Sequence, residues 1–183
     1  MPPTSPRTTP QAATPANDET LCELARTVGG ALQRRRLMLA TAESCTGGLV
    51  AATLTRIPGS SGWFERGFVT YSNAAKMELL GVSAVTLLDH GAVSEPVVRE
   101  MAAGALRHSH AQAALAISGI AGPGGGGPGK PVGTVCFAWA ALGLATRATT
   151  EHFAGDRDAV RYRAVARALA GVLDMLRDWD LPG

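Results

Sequence analysis

The sequence predicts an α/β fold: a three-layer α/β/α sandwich around a mixed, mostly parallel central sheet. Stretches with apolar residues at helical spacing alternate with short apolar runs, the pattern of buried strands joined by crossover helices. Two later runs, VGTVCFAWA and TRATTEHF, read as an antiparallel hairpin, and this makes the sheet mixed. Three loops that follow strands, 43–48, 71–76 and 118–133, are rich in glycine or small polar residues. Open sheets gather ligands at their strand ends, so those loops are where chemistry is expected.

The elements follow in order. Residues 1–17, MPPTSPRTTPQAATPAN, are mainly Pro, Thr and Ala with a single Arg. They have little to bury and are expected to form a flexible tail ahead of one domain, 18–183. From Asp18, the residues Leu21, Leu24, Ala25, Val28 and Leu32 recur at helical spacing, giving a helix to about Arg36. Arg34, Arg35 and Arg36 close it and complement the negative end of its dipole. LMLATAE is a buried strand running into a turn, and GGLVAATLTRI is a helix that stops before Pro58. WFERGFVTYS reads as a second strand and NAAKMELLG as a short helix ended by Gly81. VSEPVVREMAAGALRHSH is a helix with Ser94 as N-cap and Pro96 in the first turn, where the missing N–H costs little. AQAALAIS is a third strand leading into a glycine loop. After the hairpin, a last helix runs from about Asp156 to Trp179 with a stripe of Val165, Leu169, Val172, Leu173 and Leu176.

Composition removes several classes of function. A chain of 183 residues fits one ordinary domain with its own core. The net charge is only +2, and the aromatic residues do not interleave with the one basic run, so no nucleic-acid partner is expected. Cysteines 22, 45 and 136 are odd in number, scattered and without a CxxC pair. That is neither a disulfide framework nor a zinc site, and it points to a reducing compartment. No apolar run reaches the roughly 18 residues that span a bilayer, and the N-terminus lacks an apolar signal region. The expected location is cytoplasmic, with no membrane partner.

TAESCTGG, residues 41–48, sets Ser44, Cys45 and Thr46 side by side at a strand-to-helix turn. A serine there lies near the free N–H groups of Thr46, Gly47 and Gly48, a place that can present a nucleophile and stabilise an oxyanion. The plain alternative is a capped helix start, with Cys45 a packing thiol. No His falls in the three loops, so a Ser-His-Asp arrangement is not expected. A lysine kept neutral by burial is the other available base, and Lys76 is the one close to a strand end. Tyr71 stands upstream of it and is expected to relay a proton or orient the lysine. A solvated lysine and an ordinary strand tyrosine are the alternatives. Tyr71 and Lys76 are five apart, not the four of a short-chain dehydrogenase pair. GGGGPGK, 124–130, matches a P-loop in letters, but Pro131 replaces the magnesium-holding Ser or Thr and a strand follows it. A backbone anion nest is still open to that loop. No metal-ligand spacing occurs, so neither a metal nor a cofactor is expected.

Together TAESCTGGLVA, GSSGWFERGFVTYSNAAKMELLGV, GAVSEPVVREMAAGAL, AISGIAGPGGG…KPVGTV and FAGDRDAVR resemble the C-terminal domain of the competence/damage-inducible CinA family. The resemblance runs from about Asp18 to Trp179. It implies the three-layer fold, a homodimer or higher homo-oligomer, and in the stand-alone members amide hydrolysis of nicotinamide mononucleotide. The family's serine, tyrosine and lysine map onto Ser44, Tyr71 and Lys76 as catalytic residues. The substrate contacts expected alongside them are Glu43 to the pyridinium charge, Arg157 to the 5′-phosphate, and Thr46 and Ser118 near the amide. Cys45, Gly47, Gly48, Gly119 and Gly122 complete the expected pocket. The rival expectation is a non-catalytic nucleotide-binding or regulatory module.

Overall fold

A computed structural model describes residues 18–179. The helices are α1 (Asp18–Arg35), α2 (Leu49–Thr55), α3 (Asn73–Leu80), α4 (Ala84–His90), α5 (Glu95–Arg107) and α6 (Arg157–Asp178). The strands are β1 (Leu39–Glu43), β2 (Phe64–Val69), β3 (Ala113–Gly119), β4 (Thr134–Ala141) and β5 (Arg147–His152). They form one sheet in the order β2-β1-β3-β4-β5. β1 pairs parallel with β2 and β3, whereas β3–β4 and β4–β5 are antiparallel. Four of the five strands therefore point one way and β4 runs against them, which makes the sheet mixed.

Strand alternation divides the core into two layers. On β1, β3 and β4, Leu39, Leu115, Ile117, Val135, Phe137 and Trp139 face α1, α2 and α6. The intervening Ala40, Ala42, Ala114, Ala116, Ala138 and Ala140 face α5 and its neighbours. Large side chains on one face and alanines on the other let α5 lie close against the sheet. The approach between helices is equally close. A Cβ on Gly104 of α5 would stand 2.0 Å from the Leu80 carbonyl oxygen, at the end of α3. Only glycine lets α5 seat α3 there.

Element ends show where local signals and tertiary contacts agree. Gly81, at φ 67, accepts the left-handed turn that stops α3. Asp156 caps α6 by accepting the Ala159 N–H at 2.9 Å. Ser94 does stand at the N-cap of α5, but its hydroxyl donates to Gly91 O at 2.8 Å instead of capping. α2 is shorter than GGLVAATLTRI implies, because Gly47 and Gly48 take positive φ and belong to the turn. α4 is an addition to the predicted elements. It is held from outside, since Glu100 of α5 accepts Ser83 N–H at 2.7 Å and the Thr86 hydroxyl at 2.6 Å. The expected tail, 1–17, lies outside the described residues. Among the described residues no helix is long and apolar enough to cross a membrane.

Candidate active site

The site forms where β1, β2 and β3 end. β1 passes into the turn 44–48, and Ser44 N–H donates to Ile117 O of β3 at 3.0 Å, which ties the turn to the middle of the sheet. On the other side, Thr70 N–H donates to Glu43 O at 2.8 Å, so the exit of β2 is tied to the same point. Ser72 then caps α3 by accepting Ala75 N–H at 3.0 Å, and the first turn of that short helix points Lys76 inwards.

Lys76 is only 1 % exposed. Its Nζ donates to Thr70 O at 2.8 Å and lies 3.0 Å from Ser44 Oγ. No carboxylate pairs with it among the described residues. Burial disfavours the ammonium form, and the amine titrates below its ordinary 10.5. In its deprotonated form the amine has one lone pair, within hydrogen-bond reach of the Ser44 hydroxyl. Cys45, beside it, is a different group. Burial in an apolar wall pushes its thiol up to about 12, so it is no nucleophile near neutrality.

A pocket of about 280 Å³ opens in front of this pair, with Ser44, Cys45, Tyr71, Lys76, Ser118 and Arg157 on its lining. Gly119 and Gly122 line it too, and both are demanded by packing. A Cβ on Gly119 would meet Val135 Cγ2 at 2.8 Å, and one on Gly122 would meet Val132 Cγ1 at 2.5 Å. The Ser118 hydroxyl donates to Ala92 O at 2.7 Å. Arg157, opposite, donates to Gly122 O at 2.8 Å and to the Tyr71 hydroxyl at 2.9 Å. A guanidinium has five N–H donors, so others stay available to a ligand.

Several expectations need correction. Tyr71 is 62 % exposed and bonded to Arg157, with no hydrogen bond to Ser44 or Lys76, so in this structure it stands at the pocket rim, apart from the Ser44–Lys76 contact. Glu43 is sealed from solvent, and its carboxylate accepts three backbone N–H groups, those of Gly48, Val50 and Ala51. It is shut off from the pocket and does not line it. Thr46 is also fully buried, and Thr46, Gly47 and Gly48 lie off the pocket lining. The oxyanion donors shift as well. Gly47 N–H is taken by Ser44 O at 2.9 Å and Gly48 N–H by Glu43 at 3.0 Å. Among the described residues, the N–H groups of Cys45 and Thr46 donate to no other residue's backbone carbonyl, and of the two residues only Cys45 is on the pocket lining.

Two contributors escaped the sequence. Thr70 supplies the carbonyl that anchors Lys76. Arg161 reaches from α6 and donates to Thr46 O at 3.0 Å, bracing the turn from behind. Its spacing of four from Arg157, which puts both on one face of α6, is the signal that points to it.

The CinA C-terminal domain family model matches residues 21–176. The chain belongs to the CinA C-terminal domain family. It is 58% identical over 152 residues to the nicotinamide-nucleotide amidohydrolase PncC of Escherichia coli (strain K12), covering 83% of this chain and 92% of that one. A putative competence-damage inducible protein of Symbiobacterium thermophilum is 57% identical over 157 residues, spanning 81% of this chain but 37% of its own length. The CinA domain thus occurs both nearly alone and inside longer chains. Among solved structures, the competence/damage inducible protein CihA of Agrobacterium tumefaciens superposes with a TM-score of 0.84 at 44% identity, covering 87% of this chain and 96% of that one.

Proposed function

We propose that this protein is a nicotinamide-nucleotide amidohydrolase that converts nicotinamide mononucleotide and water to nicotinic acid mononucleotide and ammonia. The single observation that carries the chemistry is the buried Lys76 amine, without a carboxylate partner among the described residues, 3.0 Å from Ser44 Oγ. The substrate class comes from relatives at 58% and 51% identity that bear this enzyme's name.

In this mechanism Ser44 Oγ attacks the carboxamide carbon while Lys76 accepts the hydroxyl proton. The negative oxygen of the tetrahedral intermediate is held by the N–H of Cys45, the residue after Ser44 in the turn that lines the pocket. Lys76 returns its proton to the leaving nitrogen, which departs as ammonia and leaves an ester on Ser44. Water then attacks that ester, again giving a proton to Lys76, and the proton passes back to Ser44 Oγ as the acid is released. Arg157, steadied by Tyr71 and Gly122, is the clamp for the 5′-phosphate, because a guanidinium pairs bidentately with such an anion. Ser118 and Gly119 line the same pocket.

The amidohydrolase domain in this reading is 18–183, and the protein acts in the cytoplasm as a homo-oligomer. Three free thiols suit a reducing compartment. Val85 and Leu88, 65% and 85% exposed on α4, are apolar surface that a second copy would cover, and sedimentation velocity that finds only monomer excludes it. The enzyme proposal is tested by product analysis. Nicotinamide mononucleotide should yield ammonia and nicotinic acid mononucleotide in equal amounts, and saturable binding without either product would exclude it.

A further inference from the structure

Glu43 is a buried acid one residue from the nucleophile, and it ignores the nearby lysine. Its carboxylate reaches forward across the turn. Oε2 accepts Gly48 N–H and Val50 N–H, each at 3.0 Å, and Oε1 accepts Ala51 N–H at 2.9 Å. Gly48 stands at the N-cap of α2 and has no side chain to cap with, so Glu43 satisfies the helix start from five residues upstream. A carboxylate in that position also gains from the helix dipole. The residues spanned by this clamp are Ser44, Cys45, Thr46 and Gly47.

The main chain of the same residue holds the other half of the site. Glu43 O accepts Thr70 N–H at 2.8 Å, and Thr70 O accepts Lys76 Nζ at 2.8 Å. A closed path therefore runs from Ser44 through Glu43 and Thr70 to Lys76, and returns across the 3.0 Å gap between Nζ and Oγ. The clamp has a second effect, on donors. By claiming Gly48 N–H it takes that group out of the donors open to a substrate.

We propose that Glu43 is the positioning residue of this site, its carboxylate holding the 44–47 turn so that Ser44 Oγ stays within reach of Lys76 and Cys45 stays on the pocket lining. The proposal rests on the amidohydrolase reading for its substrate, but not for its geometry. Glu43 touches no pocket surface, so the clamp acts on reactivity and not on binding.

Glu43→Gln keeps the size but turns an NH2 toward a backbone N–H, and Glu43→Asp keeps the charge but shortens the reach. Both are compared with wild type for kcat and KM of ammonia release, and for the rate at which a fluorophosphonate labels Ser44. Circular dichroism and thermal melts confirm that the variants are folded. In a folded variant we expect kcat to fall roughly 10- to 100-fold, the cost of a small misplacement of reacting groups. Labelling should slow in parallel, with KM changed less than about 3-fold. A folded variant that melts lower but keeps kcat and labelling within about 2-fold of wild type overturns the proposal. So does failure of both variants to fold, which would make Glu43 a stability residue only. Wild type that labels on Ser44 but releases no ammonia defeats the amidohydrolase reading, and the labelling comparison still decides the role of Glu43.

Discussion

At the residue scale the chemistry depends on a lysine that has lost both water and an acidic partner. Desolvation places its folded pKa below the ordinary 10.5. As pH falls through that lowered value the ammonium forms, the lone pair disappears, and the rate should fall with it. The same shift links to stability. Between the folded and unfolded values the unfolded chain binds the proton and the native chain does not, so stability rises with pH across that window and is lost as pH falls through the folded value. Lys76→Met should remove this dependence, remain folded, and lose roughly 10²–10⁴-fold in rate, checked by pH-dependent melts beside ammonia release. An acid limb that persists in that variant's stability profile would assign it to another group. Cys45→Ala should stay active, because a thiol pushed up to about 12 contributes no thiolate near pH 7. Ser44 and Lys76 could be named from the sequence because each sits just past a strand end, and strand ends follow from apolar runs. The partners of Glu43 and Tyr71 could not. Which N–H groups a carboxylate meets depends on how β1 and α2 are folded back on each other, and no spacing encodes it.

At the element scale the site depends on how α3 is seated. It is a helix of only eight residues, too short to persist by propensity, and is held by the Ser72 cap, the Gly81 stop and α5. Gly104→Ala places a methyl 2.0 Å from Leu80 O, with backbone on both sides unable to yield cheaply. We expect a loss of about 1–3 kcal/mol and a melting point lower by several degrees. Because α3 carries Lys76, ammonia release should fall in the fraction that is still folded. Unchanged activity and melting would mean that α3 adjusts independently of α5. The long helices α1, α5 and α6 and all five strands were legible from periodicity and apolar runs. α4 was not. Its β-branched Val85 and Thr86 and its exposed Leu88 make no helical stripe, and the contacts that hold it come from Glu100.

At the scale of the molecule, one sheet brings three loops into contact that are far apart in the chain. β1 lies between β2 and β3, so residues 44, 76 and 118 meet at one end of adjacent parallel strands. This convergence follows from the topology and was anticipated once the strands were recognised, as was the antiparallel hairpin that makes the sheet mixed. Asp18 opens α1 and is already bound to Arg56 and to the Tyr162 hydroxyl, both at 3.0 Å, and those bonds hold its carboxyl below the usual range. A chain starting at residue 18 should therefore match the full chain in melting point and in ammonia release. A substantial loss of either would give residues 1–17 a part in the domain. The most direct test of the central claim is ammonia release from nicotinamide mononucleotide by wild type beside Ser44→Ala. Release by wild type that drops at least about 10³-fold in a folded Ser44→Ala protein is the predicted result. Equal release by both proteins, or none from a folded wild type that binds the nucleotide, would contradict it.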